Sequence, residues 1–295
     1  MGTQLSEDIG RVGIWSALLA SPDPDRRGEI TETAAELEEL GYGTLWLGGS
    51  PAPERAVPAL AATSHLTVAT GITSIWSEEP AAVARVFGEL NRTYGGRFVL
   101  GVGVSHSAIH EEYRRPYSSM RDFLDGLDAA EEPVPTARRV LAALGPKMLR
   151  LGADRAGGAH PYLVTAEQVA DARERLGDGP TLAPELKVVL NPDLTAARAT
   201  ARAYLAMYLQ LPNYTNNLLR SGFTEDDFAD GGSDRLLDAV YALGDPEAVR
   251  DKVDQFFAAG ADHVAVQVVN DEPRTVVPRE GYRLLAEALS LGKAA

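Results

Sequence analysis

Three of the five histidines in this 295-residue chain lie in stretches whose residue types could do chemistry. Two follow an apolar run, Phe98-Val99-Leu100-Gly101-Val102-Gly103-Val104, which leads into Ser105, His106 and, four residues on, His110. An imidazole titrates near ~6.5, so His106 suits proton transfer at neutral pH or a hydrogen bond to a bound group. The plainer reading is a loop anchored on a backbone carbonyl. His160, before Pro161, is the third. The three share no ligand spacing on one element, so no metal centre is expected. There is no Gly-x-Ser-x-Gly elbow, and Val104 precedes Ser105, which argues against a serine hydrolase. The absence of cysteine excludes a thiol nucleophile, disulfides, Cys-ligated zinc and iron–sulfur clusters. Gly145-Pro146-Lys147 reads as a helix start. Free backbone N–H groups there, with one of the chain's few lysines in the first turn, favour an anion such as phosphate. The alternative is an ordinary helix start with a solvated lysine.

These groups need a scaffold. Short apolar segments at 11–15, 44–47, 66–72, 97–102, 138–144, 159–164, 186–190 and 263–268 read as strands. They alternate with helical patterns, for example 27–40 and 80–94. Such alternation means right-handed βαβ units, the α/β class. Eight units predict a (β/α)8 TIM barrel, a fold of about 250 residues, with room for one insertion. The whole chain is read as a single domain. A region at about 192–262 carries helices only (194–210, 234–242, 246–259), which makes it a helical insertion before strand eight. In a barrel the residues just after each strand share one rim. That rim gathers Trp15, Thr73, Ser105, His106, Gly145, Lys147 and His160, while His65 and His263 fall on the opposite face. A doubly wound sheet is the alternative. Gly101-Val102-Gly103-Val104-Ser105-His106 departs from its dinucleotide fingerprint, because His106 stands where the third glycine belongs.

Charge narrows the partners. Forty-two acidic against 28 basic residues leave a net charge of −14. That argues against nucleic acid, whose affinity rests on Lys and Arg, and against an anionic membrane surface. No apolar run is long enough to span a bilayer, and the polar start does not read as a signal peptide. A cytoplasmic enzyme acting on a small molecule is expected.

Several stretches together resemble the luciferase-like family of flavin- and coenzyme F420-dependent enzymes, in its actinobacterial F420 subgroup. They are Ala69-Thr70-Gly71-Ile72-Thr73-Ser74-Ile75-Trp76, the Gly103-Val104-Ser105-His106 strand end, Leu144-Gly145-Pro146 followed by Gly157-Gly158-Ala159, and Ala258-Ala259-Gly260-Ala261-Asp262-His263. The resemblance implies a barrel, usually dimeric, that binds coenzyme F420, or FMN in its monooxygenases. It implies a non-prolyl cis peptide at Gly71–Ile72 against the deazaflavin ring, with Thr73 beside it. Leu144, Gly145, Pro146 and Lys147 would hold the phosphate. Trp15, Ser105, His106 and His160 complete the expected cofactor contacts, with His106 the catalytic group. The implied function is hydride exchange between the deazaflavin and an organic substrate. An FMN-dependent monooxygenase and a non-catalytic flavin-binding protein are the alternatives. Trp15, Trp46, Trp76 and Tyr162 suggest a flat or apolar substrate. Two departures stand out. Leu47-Gly48-Gly49-Ser50 lacks the acidic–histidine pair that activates alcohols in many F420 dehydrogenases, and Gly157-Gly158 replaces an Asp-Gly.

Overall fold

The computed structural model describes residues 3–108, 110 and 112–292. Its strands are Val12–Ser16 (β1), Thr44–Leu47 (β2), Thr67–Thr70 (β3), Thr73–Ser74 (β4), Phe98–Gly103 (β5), Arg139–Leu141 (β6), Gly158–Ala159 (β7), Thr181–Leu182 (β8), Glu185–Leu190 (β9), Tyr241–Gly244 (β10) and Val264–Val268 (β11). All pairings are parallel, in the order β9-β11-β1-β2-β3-β5-β6-β7-β8. The ring closes because β8 and β9 are two halves of one segment, broken at Ala183-Pro184. On one edge the Ala183 and Glu185 N–H groups donate to the Ala159 and Pro161 carbonyls at 2.9 and 2.8 Å. On the other edge Ala265 N–H donates to Pro184 O at 2.9 Å. The architecture is an α/β barrel of eight strand positions with helices outside, as expected.

Strand alternation sorts the side chains into two sets. Ile14, Leu45, Val68, Leu100 and Val266 point outward and join the helices in the main core. Helix Pro80–Thr93 shows how a helix is made to fit. Proline stands in its first turn, where the missing N–H costs nothing, and Val83, Val86, Phe87 and Leu90 form the buried stripe. Trp15, Trp46, Ala69, Val99, Val140, Ala183 and Ala265 point inward and fill the barrel. A helix not read from the sequence, Gln4–Ile9, plugs the amino-terminal end with Leu5 and Ile9. Thr44 and Thr67 hydroxyls donate to its Ile9 and Asp8 carbonyls at 2.5 and 2.7 Å.

Three expectations are corrected. The region before the last barrel strand is not helical throughout, because β10 pairs with Lys187–Leu190 on the edge that β7 occupies lower down. The short run Tyr241–Gly244 reads as the end of a helix because nothing local marks the switch in period. The expected 194–210 helix stops at Leu205, and a separate helix, Pro212–Arg220, starts at its own proline. The expected strand at 66–72 breaks at the cis Gly71–Ile72 peptide into β3 and β4. No helix among the described residues is long and apolar enough to cross a membrane.

The lower barrel interior holds two neutral imidazoles. Trp46 stacks on His160 with ring centroids 4.4 Å apart and planes 2° from parallel. Its indole N–H donates to His263 Nε2 at 3.0 Å. His263 Nδ1 donates to Gly10 O at 2.8 Å, and His160 Nδ1 donates to Ala183 O at 2.6 Å; a carbonyl can only accept, so both tautomers are set. Burial pushes each imidazole down to about 4, against the opposing pull of its backbone acceptor. The unfolded chain takes up these protons near pH ~6.5. Stability is therefore full above that pH and falls by about 1.4 kcal/mol per pH unit per histidine as the pH drops toward 4. Urea midpoints measured from pH 7.5 to 4.5 should show this slope, and His160→Phe should remove one histidine's share of it. An unchanged slope in the variant would contradict the buried, neutral assignment.

Candidate active site

The carboxyl-terminal mouth is assembled around Trp15, the last inward residue of β1. Its indole N–H donates to Gly71 O at 3.0 Å. The ring lies where side chains at 48 and 71 would otherwise be: a Cβ on Gly48 would come within 2.3 Å of it, and one on Gly71 within 2.9 Å of Nε1. The glycines after β2 and β3 are therefore the space the indole occupies. Ile72 leans the other way and covers Gly103, where a Cβ would sit 2.7 Å from its side chain. Thr73 is buried, and its hydroxyl donates to Pro51 O at 2.9 Å.

The loop after β5 is held by helix Pro212–Arg220. Ser105 has a left-handed backbone, φ 52°, and Asn213 Nδ2 donates to its carbonyl at 3.0 Å. Tyr214, one residue on, tilts against the His106 ring at 5.0 Å. His106 Nδ1 is buried without a hydrogen-bond partner among the described residues. Burial, reinforced by the neighbouring His110, holds this imidazole below its usual range. His110 instead meets the Ser74 hydroxyl at 3.1 Å, which ties the two loops together. Tyr214 contacts Tyr162 at 5.8 Å, and Tyr162 contacts Trp15 at 5.2 Å. One aromatic series thus joins His106 to Trp15 and Gly71 across the mouth.

Beneath that series lies a charged pair that the sequence hides. Glu185 and Lys187 are 1% and 0% exposed, and Lys187 Nζ sits 3.0 Å from both carboxylate oxygens. The ammonium also faces the Tyr162 ring at 3.7 Å and the Tyr208 ring at 4.9 Å. Leu163 N–H donates to the carboxylate as well, at 3.1 Å. Burial pushes Glu185 up and Lys187 down, while each partner's charge pulls back. Around the pair runs a hydroxyl network. Tyr162 donates to Gln267 Oε1 at 2.8 Å, and Gln267 Nε2 donates to Tyr204 Oη at 2.6 Å. Since Tyr162 has one hydrogen, the 2.7 Å contact with Tyr208 must run from Tyr208 to Tyr162. Tyr204 keeps its own hydrogen as the spare donor of the set. Burial raises all three phenols, so they remain O–H donors.

The remaining expected residues are placed unevenly. Gly145 caps helix Pro146–Arg155, and the space where its side chain would stand is open. Lys147 is exposed in the first turn, and Leu144 is partly buried. His160, by contrast, does not reach the rim. It is 2% exposed inside the barrel, because it follows outward-facing Ala159 on the same ladder and so points inward, where Trp46 claims the ring by stacking. Trp46, 0% exposed, cannot face a substrate. Glu185, Lys187, Gln267, Tyr204 and Tyr208 do not stand out in the sequence, whereas the stretch Asn213-Tyr214-Thr215-Asn216-Asn217 reads there as part of a cover over the pocket. The available signal was Glu185 and Lys187 alternating with Leu186 and Val188 in a parallel strand, where both faces should be apolar.

Breaking the buried pair on one side should be costly. Lys187→Met leaves a carboxylate with no counter-charge and should lower stability by ~3–5 kcal/mol. Lys187→Met with Glu185→Leu should recover most of that loss in urea denaturation. Equal losses in the single and double variants would contradict a coupled pair.

A Mycobacterium tuberculosis protein provisionally assigned as a coenzyme F420-dependent oxidoreductase is 22% identical over 331 residues, covering 87% of this chain and 93% of its own. The coenzyme F420-dependent tetrahydromethanopterin reductase of Methanopyrus kandleri superposes with a TM-score of 0.74 at 16% identity, covering 95% of this chain and 99% of the other. The oxygenating constituent of the FMN-bound 3,6-diketocamphane monooxygenase from Pseudomonas putida gives 0.66 at 15% identity, over 95% and 97%. The sequence profile described as luciferase-like monooxygenase matches residues 11–263. The chain belongs to the luciferase-like monooxygenase family.

Proposed function

We propose that this protein is a coenzyme F420-dependent oxidoreductase that exchanges hydride with a small organic substrate at the carboxyl-terminal mouth of the barrel. The observation that carries the reading is the continuity of the mouth. Gly71–Ile72, Trp15 and His106 lie along one rim, and the open Gly145 turn, after β6, lies further round it. A planar ring with an anionic arm fits these residues. The side-chain-free Gly145 and the first-turn N–H groups beside Lys147 suit the anion. Nδ1 of His106, unpartnered among the described residues, suits a hydrogen bond from or to the ring or the substrate. When bound, a deazaflavin supplies the hydride chemistry at its C5; the chain supplies position and protons.

In this reading Trp15 fixes the depth of the ring, since Gly71 O holds its indole in place. Tyr214 and Asn213 hold the His106 loop over the site. His106 is neutral at pH 7, because burial lowers its affinity for a proton. It can therefore accept a proton from a hydroxyl that is being oxidised, or relay one to a carbonyl that is being reduced. The missing acidic–histidine pair after β2 leaves His106 as the proton-transferring group nearest the rim.

Tryptophan quenching with F420, and separately with FMN, tests the cofactor. F420 should bind at least about tenfold more tightly, a difference of ~1.4 kcal/mol. The reverse order would favour an FMN-dependent monooxygenase, as in the Pseudomonas neighbour, and binding of neither would overturn the reading. With a turnover substrate, His106→Ala should slow hydride transfer by about 10²-fold while the circular dichroism stays that of the wild type. In the oxidising direction the wild-type rate should fall only at pH values below the ordinary imidazole range, as His106 protonates, and His106→Gln should abolish that limb. An unaltered rate and affinity in His106→Ala would make this residue a loop anchor only.

A further inference from the structure

Outside the barrel, between helix Pro146–Arg155 and helix Ala166–Leu176, lies a cavity of about 290 Å³ roofed by helix Pro212–Arg220. Its inner end is apolar and touches the proposed phosphate turn through Leu144 and Pro146, with Val164 opposite. Its outer end carries Arg175, Arg220 and Asn217. Asn217 is 6% exposed, yet only its oxygen is engaged: Oδ1 accepts from Arg220 Nη2 at 2.9 Å. That bond fixes the amide orientation and leaves Nδ2 as a donor with no protein partner among the described residues. Asp171 is the one carboxylate on the lining. It pairs with Arg175 at 3.2 Å, so the outer end keeps a net positive charge. On a chain of net charge −14, two guanidiniums converging on a cavity are a local reversal of sign.

The position of the cavity says what it could take. Around the rim the strands run β3, β5, β6, β7. The ring wall at Gly71–Ile72 follows β3, the Gly145 turn follows β6, and the cavity borders the segment after β7. It is the next sector along one arc. Coenzyme F420 carries beyond its phosphate a lactyl–oligo-γ-glutamate tail, a peptide-like chain of carboxylates.

We propose that this cavity receives that anionic tail, with Arg175, Arg220 and the Asn217 amide as its donors. The inference rests on the F420 reading, and it assigns to the insertion a cofactor-selecting role that FMN, which ends at its phosphate, would not call on. The helix that holds Ser105 and His106 at its start would grip the tail at its end.

The experiment compares F420 carrying several glutamates with the tail-free form, by tryptophan quenching on the full chain at low ionic strength. The wild type should prefer the tailed form about tenfold, and added salt should narrow the ratio. Arg175→Gln with Arg220→Gln should bring the ratio near one, with the tail-free affinity as in the wild type. Asp171→Asn releases Arg175 and should widen the ratio, a gain that damage to the fold would not produce. Equal affinity for both forms in the wild type would overturn the inference and leave the F420 reading intact. A variant that loses both forms equally would also overturn it. Binding of neither form by the wild type would overturn the F420 reading and this inference with it.

Discussion

Closure of the barrel falls on one segment, Thr181–Leu190. Each backbone N–H and C=O of a buried parallel sheet needs a partner, and this segment serves three neighbours: β7 below, β10 above and β11 along the other edge. The break at Ala183-Pro184 lets it change partners without an orphaned donor, since proline has none to lose. What the segment points inward is set at the same time. Ala183 is small enough to lie beside the stacked His160 and Trp46, whereas Glu185 and Lys187 place two charges under the mouth. The rest of the interior can be understood as a response to those choices.

Two layers result. The lower one is neutral, with Trp46 between two imidazoles that burial keeps unprotonated. The upper one is polar and largely paired, with Tyr162, Tyr208, Tyr204 and Gln267 passing hydrogen bonds around the ammonium. Such a network is costly if incomplete and rigid if complete. It gives the mouth a firm floor on which Trp15 rests at 5.2 Å from Tyr162. Most of the tyrosines come from the insertion, so the segment that looks like a cover also supplies the floor. Helix Pro212–Arg220 does both, reaching the Ser105–His106 loop through Asn213 and Tyr214 and the outer cavity through Asn217 and Arg220.

Much of this was legible in the chain itself. The βα rhythm, the mouth glycines and the Gly145 helix start depend on local composition and period, and the order of elements follows from them. The cis bond at Gly71–Ile72 was expected from the resemblance and is present. What was not legible depends on distant partners. Tyr241–Gly244 is a strand only because Lys187–Leu190 offers an edge, and Gln4–Ile9 is a helix that stays in place by plugging the barrel. His160 reads as a rim residue until Trp46, more than a hundred residues away, claims its ring. Lys187 reads as a stray charge in a strand until Glu185 and Tyr162 surround it. Periodicity says which face a residue is on; it does not say how deep inside a barrel that face lies.

In the proposed function one rim, from Gly71–Ile72 past Trp15 to the Gly145 turn, seats the cofactor. A crystal structure of the protein grown with F420 tests it most directly. The deazaflavin ring should lie against Gly71–Ile72 and within van der Waals reach of Trp15, with the phosphate on the N–H groups beside Gly145 and Lys147. A ring bound elsewhere, or a phosphate that avoids the Gly145 turn, would contradict it.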